Sequence, residues 1–440
     1  MILRDPIHGL VAFERPSEEL VVRLLDTREV QRLRRVRSLG VTSLAFPGAE
    51  HSRFAHAVGA AHVMSLFLQR MCSLSTELSP SERPSLEDEQ LGLAAALLHD
   101  IGHGPLSHLF EEVFVGAPKH ERWTSALLLD PDSDVCRVLH ETDPSLPASV
   151  NQLVHGHHSK PWLAHAVSGT FDVDRCDYLL RDSYMTGVRY GLFDLPWLLR
   201  SLRIARSAGG DATLAVDGTK GLSAVEGFFL ARLFMYQQVY FHKASRAAEV
   251  MIRSLFARAV ELQQMHPGDS PLPPVLAALA NRTTVSPRDY ASLDDSVLWT
   301  CIDRWQSESN DPILRDLAGR IQRRSLFKSA ALDDEDAQRA PELLEALQKI
   351  VADAGFDPKY YAAYDIASTG LFDEASVPSE AMYVCYSRRA PRVLSRASLL
   401  LGKLRGERLT TRRLMFPFEV RDQVATLLGR SPQLSLALPF

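Results

Sequence analysis

Leu91-Gly92-Leu93-Ala94-Ala95-Ala96-Leu97-Leu98-His99-Asp100-Ile101-Gly102-His103-Gly104-Pro105 is the stretch on which the fold turns. Leu91 to Leu98 has no polar face, so it predicts a helix at the centre of a domain. Ser85 is its predicted N-cap, with Glu87, Asp88 and Glu89 in the first turn, where the helix dipole favours acids. Gly102, Gly104 and Pro105 end it. His99 and Asp100 thus place an imidazole and a carboxylate at a buried helix end. That placement is costly unless a cation takes up both groups.

Seven of the fifteen histidines fall between His51 and His120, around this stretch. Upstream, Glu50-His51-Ser52-Arg53-Phe54-Ala55-His56 leads into a predicted helix from Arg53 to Met71. Its small residues, Ala57, Gly59, Ala60 and Ala61, allow close helix approach. Downstream, Phe171-Asp172-Val173-Asp174-Arg175-Cys176-Asp177-Tyr178 reads as helical, and Asp174, Tyr178 and Arg181-Asp182 share one face. His56, His99 and Asp100, with Asp174 as the best further candidate, suit one divalent ion (Mn, Fe, Zn, Ni or Mg) better than Ca. Taken alone, Asp177 and Arg181 read as an i, i+4 surface pair. Ser223-Ala224-Val225-Glu226 reads as a capping box opening a long helix. On that helix Arg232, Tyr236, Tyr240 and Lys243 recur at i, i+4, i+8 and i+11. An aromatic stripe is usually core, but one bounded by Arg and Lys suits an anionic ligand with a flat ring. His155-Gly156-His157-His158 looks like a metal tract but reads as an exposed loop.

The 440-residue chain is long enough for two or three domains. It is 46% hydrophobic and 23% charged, as a globular protein is, and its net charge of −5 does not draw polyanions to the whole molecule. An anionic ligand must therefore meet local positive clusters. One such cluster, Arg388, Arg389, Arg392, Lys403, Arg405, Arg408, Arg412 and Arg413, suits nucleotide phosphates at a subunit boundary or, less favoured, nucleic acid. Cys72, Cys136, Cys176, Cys301 and Cys385 are scattered and odd in number, which argues against a disulfide framework or a zinc-thiolate site. The opening Met1-Ile2-Leu3-Arg4-Asp5-Pro6 does not read as a signal peptide, and no apolar run suffices for a bilayer, so a cytoplasmic protein without a membrane partner is expected. A strand-turn-strand over residues 1–13 and a hairpin around Gly209-Gly210 are predicted. The division expected is a motif-bearing domain over 1–265, a Pro-rich linker or domain edge at 266–288, and a region over 289–440 with strands at Ala381–Tyr386 and near Thr410–Phe416. The fold class expected is mostly α, with a short N-terminal hairpin and a smaller α+β C-terminal part.

In their order, H…HD…D, these residues resemble the HD-superfamily metal phosphohydrolases. Asp5-Pro6-Ile7-His8-Gly9, Asp26-Thr27, Gln31-Arg32-Leu33-Arg34, Phe46-Pro47-Gly48-Ala49, the segments from His51 to His56 and from His99 to His108, Asp172-Val173-Asp174-Arg175 and Asp177-Tyr178 narrow the resemblance. They are similar to the deoxynucleoside triphosphate triphosphohydrolases, the group of the bacterial dGTPases and the vertebrate dNTPase with SAM and HD domains. The likeness covers residues 1 to about 260.

The resemblance implies hydrolysis of a dNTP to deoxynucleoside and inorganic triphosphate. It implies His56, His99, Asp100 and Asp174 as metal ligands and Arg53 on the α-phosphate. His103, His108 and His120 would surround the scissile bond, with Glu111 paired to a histidine and His108 as the proton donor. It places Arg232 on the polyphosphate and Tyr240 near sugar and base. Arg175, Tyr178 and Tyr236 would line the same pocket, with Asp182 on the 3′-hydroxyl and Ser38-Leu39 along the sugar. Ser38 replaces the family's common glutamine, and Tyr236 a histidine of the vertebrate enzyme. The resemblance also implies a homo-oligomer, dimer or tetramer, with a guanine-nucleotide activator read by Asp26, Gln31 and Arg34. Without it, Arg32-Arg34-Arg35-Arg37 reads equally as a solvated basic face. Two other functions compete. One is hydrolysis of another nucleotide (a ribonucleoside triphosphate, a signalling nucleotide or a dinucleoside polyphosphate). The other is a nucleotide or nucleic-acid sensor with an idle metal site.

Overall fold

The computed structural model describes the chain except for residues 115, 208–209, 267–269, 373–380, 388 and 431–440. Gly209, Arg388 and residues 267–269 of the expected linker, with the side chain of Arg389, therefore lie outside the described residues. Helices dominate, as expected: α1 (Arg53–Ser73), α2 (Leu86–Leu98), α3 (His108–Val113), α4 (His120–Leu129), α5 (Val173–Thr186), α6 (Leu222–Met235), α7 (Lys243–Met265) and α8 (Asp295–Glu308) frame the site. Leu91 to Leu98 is buried throughout, and Ser85 and Asp88 close a reciprocal capping box at the start of α2. A Cβ on Gly59 of α1 would stand 1.9 Å from Asp177 Oδ1 on α5, so only glycine lets these two helices approach this closely.

The strands are β1 (Ile2–Asp5), β2 (Gly9–Ala12), β3 (Leu202–Arg206), β4 (Ala212–Asp217), β5 (Lys328–Ala331), β6 (Ala363–Gly370), β7 (Tyr383–Tyr386), β8 (Arg389–Val393) and β9 (Arg408–Phe416). β1 and β2 form the predicted antiparallel hairpin, Ile2 opposite Ala12, turning at Gly9 with φ +71°. A second sheet runs β3-β4-β7-β8, with β7 parallel to β4, so the C-terminal region completes a sheet begun upstream. The third sheet, β5-β9-β6, is antiparallel.

Apolar side chains gather in two cores. The first takes α1, α2, α5 and α6; the second takes α3, α7 and α8 with β9. The helices that carry the predicted metal ligands thus rest on one core, and the helix that begins at His108 rests on the other. The stretch 266–288 carries the short helix Pro274–Ala280.

The long aromatic helix departs from its prediction. α6 begins at Leu222 behind Gly221 with no side-chain cap. Glu226 is occupied elsewhere, accepting a hydrogen bond from Ser398 Oγ at 2.6 Å. After Met235 the backbone widens into a π-helical turn, Tyr236–Tyr240, and His242 caps a new helix, α7. A single helical face therefore does not run on to Lys243, which instead lines a separate cleft of about 730 Å³ with Arg324, Lys328 and Arg421.

Candidate active site

Three helix ends converge. His56 sits in the first turn of α1, His99 caps the C-terminus of α2, and Asp174 sits in the first turn of α5. His56 Nε2 lies 3.0 Å from Asp174 Oδ1 and 3.4 Å from His99 Nε2, and His99 Nε2 lies 3.6 Å from Asp174 Oδ1. A cation bonded to N and O donors at about 2.0–2.2 Å needs neighbouring donors about 2.8–3.6 Å apart in octahedral or tetrahedral geometry, so the set fits a divalent ion. His99 Nδ1 is turned to the Ala96 carbonyl at 2.9 Å, which leaves Nε2 for the centre. Asp100 faces the same point, Oδ1 at 3.4 Å from His99 Nε2, while its Oδ2 is ion-paired with Arg53.

Behind these donors stands Asp177, which is fully buried. It accepts from His56 Nδ1 at 2.8 Å, from His8 Nε2 at 2.7 Å, and from Arg181 Nε and Nη2 at 2.8 Å each. Asp5 takes Arg181 Nη1 at 2.8 Å and caps the amides of Ile7 and His8. The surface-pair reading of Asp177 and Arg181 is thereby corrected: both are buried, and the pair orients His56. Burial raises the carboxyl of Asp177, but Arg181 and the two histidines hold it well below the usual carboxylate range. Burial lowers His56, yet its bonds to Asp174 and Asp177 push it up to about 10. The same carboxylates that favour a proton on His56 favour a cation between its neighbours.

Beside this set lies a cluster of three imidazoles. His103 stacks on His120 with ring centroids 3.9 Å apart, and His108 meets them edge-on at 4.9 and 5.1 Å. Glu111 accepts from His120 Nδ1 at 2.6 Å, as the pairing predicted. His103 Nε2 reaches Asp100 Oδ1 at 3.3 Å, linking the cluster to the metal-donor set, and its buried Nδ1 has no partner. Burial and the nearby Arg53 cation depress both His103 and His108 below the ordinary imidazole value. His108 is nonetheless exposed to solvent. Arg53 Nε donates to Ser107 Oγ at 2.8 Å.

Among the residues expected to line a nucleotide pocket, Asp182 accepts from His51 Nε2 and from Tyr240 Oη, both at 2.8 Å. Tyr178 and Tyr236 pack edge-on against Tyr240, with centroids at 6.4 and 4.8 Å. Arg175 is held by the Gly169 carbonyl at 2.6 Å and by Asp172. Arg232 lies 5.1 Å over the Tyr236 ring, but its guanidinium is spent on the Gly370 and Leu371 carbonyls, with a buried Nε left unpaired. Ser38 and Leu39 follow Arg37, whose backbone bridges Ser52; the Ser38 hydroxyl is buried without a partner.

Among the residues read as regulatory, Arg34 Nε donates to Gln31 Oε1 at 2.8 Å and lies 3.5 Å over the Phe54 ring. Asp26 is exposed at the end of the preceding helix, Glu19–Leu25. The solvated-face reading fails at Arg32. This residue is buried and donates to the carbonyls of Leu293, Ile101 and His103 at 2.7, 3.2 and 2.7 Å. His155 and His157 are exposed, as expected of a loop. Sequence reasoning gave no role to His8, His51, Arg32, Tyr290 or Asp295. The available signals were the motifs that carry His8, Arg32 and His51, which had been given no function of their own; Tyr290 and Asp295 lie in none of them.

Comparison with known proteins agrees with this geometry. The HD domain model matches residues 53–182, and the HD-associated region model matches 194–269. The Bacillus subtilis protein YwfO, described as uncharacterized, is 34% identical over 424 residues, covering 94% of this chain and 92% of that protein. Human deoxynucleoside triphosphate triphosphohydrolase SAMHD1 is 26% identical over 361 residues, 74% of this chain but 54% of the human protein. A crystal structure of a phosphohydrolase from Bacteroides thetaiotaomicron superposes with a TM-score of 0.77 at 26% identity, covering 94% and 99% of the two chains. With its H…HD…D donors assembled as the motif requires, the chain belongs to the HD-domain family.

Proposed function

We propose that this protein is a divalent-metal triphosphohydrolase that converts a dNTP to deoxynucleoside and inorganic triphosphate. The observation that carries this reading is the convergence of His56, His99 and Asp174, with Asp100 joining them to the cluster of His103, His108 and His120. His56, His99, Asp100 and Asp174 would hold a divalent cation, which would supply the means of activating water as a nucleophile at neutral pH. Arg53, fixed by Asp100 and Ser107, neutralises an α-phosphate oxygen. His108 gives a proton to the leaving 5′-oxygen, and Glu111 holds His120 beside it. Asp182 receives the sugar hydroxyl, Tyr178, Tyr236 and Tyr240 enclose sugar and base, Ser38-Leu39 bound the sugar, and Arg175 and Arg232 meet the phosphates. Asp26, Gln31 and Arg34 read a guanine-nucleotide activator between subunits of a homo-oligomer in the cytoplasm. Among the described residues no helix is long and apolar enough to cross a membrane.

A second reading, hydrolysis of another nucleotide, draws support from the short Ser38 and from Arg232 being committed to backbone carbonyls. One assay separates them. Purified protein with Mn is given dNTPs and NTPs singly and in pairs. Free deoxynucleoside with triphosphate is expected, faster when a guanine nucleotide is added; monophosphate or orthophosphate as product would sink the first reading. Turnover unchanged in a His99→Ala, Asp100→Ala double variant would sink metal hydrolysis altogether.

A further inference from the structure

We propose that Asp295 is a positioning residue for the catalytic turn, through which the C-terminal region sets the placement of His108. Asp295 lies outside both matched family segments, at the first position of α8. Asp295 is 5% exposed, and its carboxylate divides its two oxygens between distant backbone amides. Oδ1 accepts from Leu106 N–H at 2.8 Å and Oδ2 from Arg37 N–H at 3.0 Å.

What it grips is strained. Leu106 and Ser107 both have positive φ, +56° and +58°, and neither is glycine. Side-chain-bearing residues adopt this region only when the surroundings enforce it, and such strain clusters at functional sites. The next residue is His108, the start of α3. Ser107 Oγ in turn accepts from Arg53 Nε and donates to the Arg37 carbonyl at 2.9 Å. One carboxylate therefore ties together the Arg37-Ser38-Leu39 segment, the turn before His108 and, through Ser107, the guanidinium of Arg53. The neighbouring residues brace the same loop: Tyr290 Oη donates to the Gly102 carbonyl at 2.9 Å, and the Leu293 carbonyl receives Arg32. The metal donors rest on one apolar core and α3 on the other, so their relative placement has to be set by a link of this kind.

The inference rests on the role given to His108 above. Asp295→Asn and Asp295→Ala are compared with wild type and with Asp294→Ala. The last removes the cap of α8 but neither of the two amide bonds. In the Asp295 variants kcat is expected to fall about 10- to 100-fold, the effect of a misplacement near 1 Å, with KM and Mn content close to wild type. Asn keeps one acceptor and should fall between Ala and wild type; as the isosteric change, it carries the test if Ala does not fold. Hydrogen exchange at the Leu106 and Arg37 amides should accelerate, with α2 amides unchanged. An unchanged kcat in Asp295→Ala, an equal loss in Asp294→Ala, or undiminished protection at Leu106 would each overturn the proposal. If wild type hydrolyses no nucleotide, the functional reading fails instead, and amide exchange alone decides the grip of Asp295 on the turn.

Discussion

Asp177→Asn is a nearly isosteric change with a large expected effect. The carboxylate serves four donors: His56 Nδ1, His8 Nε2 and two nitrogens of Arg181. A carboxamide presents one oxygen and turns an N–H₂ group toward the remaining donors. Arg181 is 1% exposed, so its charge cannot be recovered by water. Removing one partner of a buried ion pair costs about 3–5 kcal/mol. Asp5 still holds Arg181 Nη1 at 2.8 Å, which places the loss near the lower end, about 3 kcal/mol. His56 also loses the group that fixes its tautomer and ring, and loss of such an outer partner weakens metal binding about 10- to 100-fold, or about 1.4–2.8 kcal/mol. Metal binding stabilises the fold by mass action, so the Tm gain on adding Mn should shrink as well. Titration calorimetry with Mn and thermal denaturation with and without the ion measure both effects. A variant with wild-type Mn affinity and wild-type Tm would refute the view that Asp177 orients the metal histidine.

Gly59→Ala is expected to cost about 1–3 kcal/mol by thermal melt despite alanine's higher helix propensity, because the new Cβ meets Asp177 and the buried Arg181; a gain in Tm would contradict this. His108→Gln should lower kcat about 10²- to 10⁴-fold with Mn binding retained; loss of the metal instead would remove His108 from proton transfer. Arg32→Met would orphan three buried carbonyls and cost more than about 3 kcal/mol in urea denaturation. Glu249 is pushed up to about 7 by burial, with Glu112 and Asp365 adding repulsion that Arg246 only partly offsets. Its pKa is higher in the folded chain than its ordinary 4.5, so the fold binds more protons between these values. Stability should be fullest below about pH 4.5 for this group and fall as pH rises through about 7. Glu249→Gln should flatten that slope in denaturation measured at pH 5.5 and 8; an unaltered slope would acquit Glu249.

Short-range features were legible wherever one segment's own pattern decided them. The apolar run of α2 with its Ser85 cap, the hairpin of β1 and β2, and the β3–β4 pairing all appear as read. The donors His56, His99 and Asp174 also sit at helix ends that local signals mark, so their order in the chain was readable. Periodicity misled where it was extended too far. The stripe from Arg232 to Lys243 assumed an unbroken α-helix, but the π-turn at Tyr236–Tyr240 shifts the phase and the chain breaks before α7. Arg32 shows the complementary error: a basic run says nothing of whether its carbonyl partners come from 261 residues away.

By itself the amino-acid sequence determined which side chains could hold a cation and on which helix faces they stand, because helical spacing and capping are local properties. Tertiary structure alone decided that Asp177 is a buried brace rather than half of a surface pair, that Arg32 and Asp295 secure the loop after His99, and that Arg232 is turned to backbone carbonyls. Burial and hydrogen-bond partnership across more than a hundred residues arise from how helices pack. One helix's pattern of polar residues is the same whether water or another helix covers it.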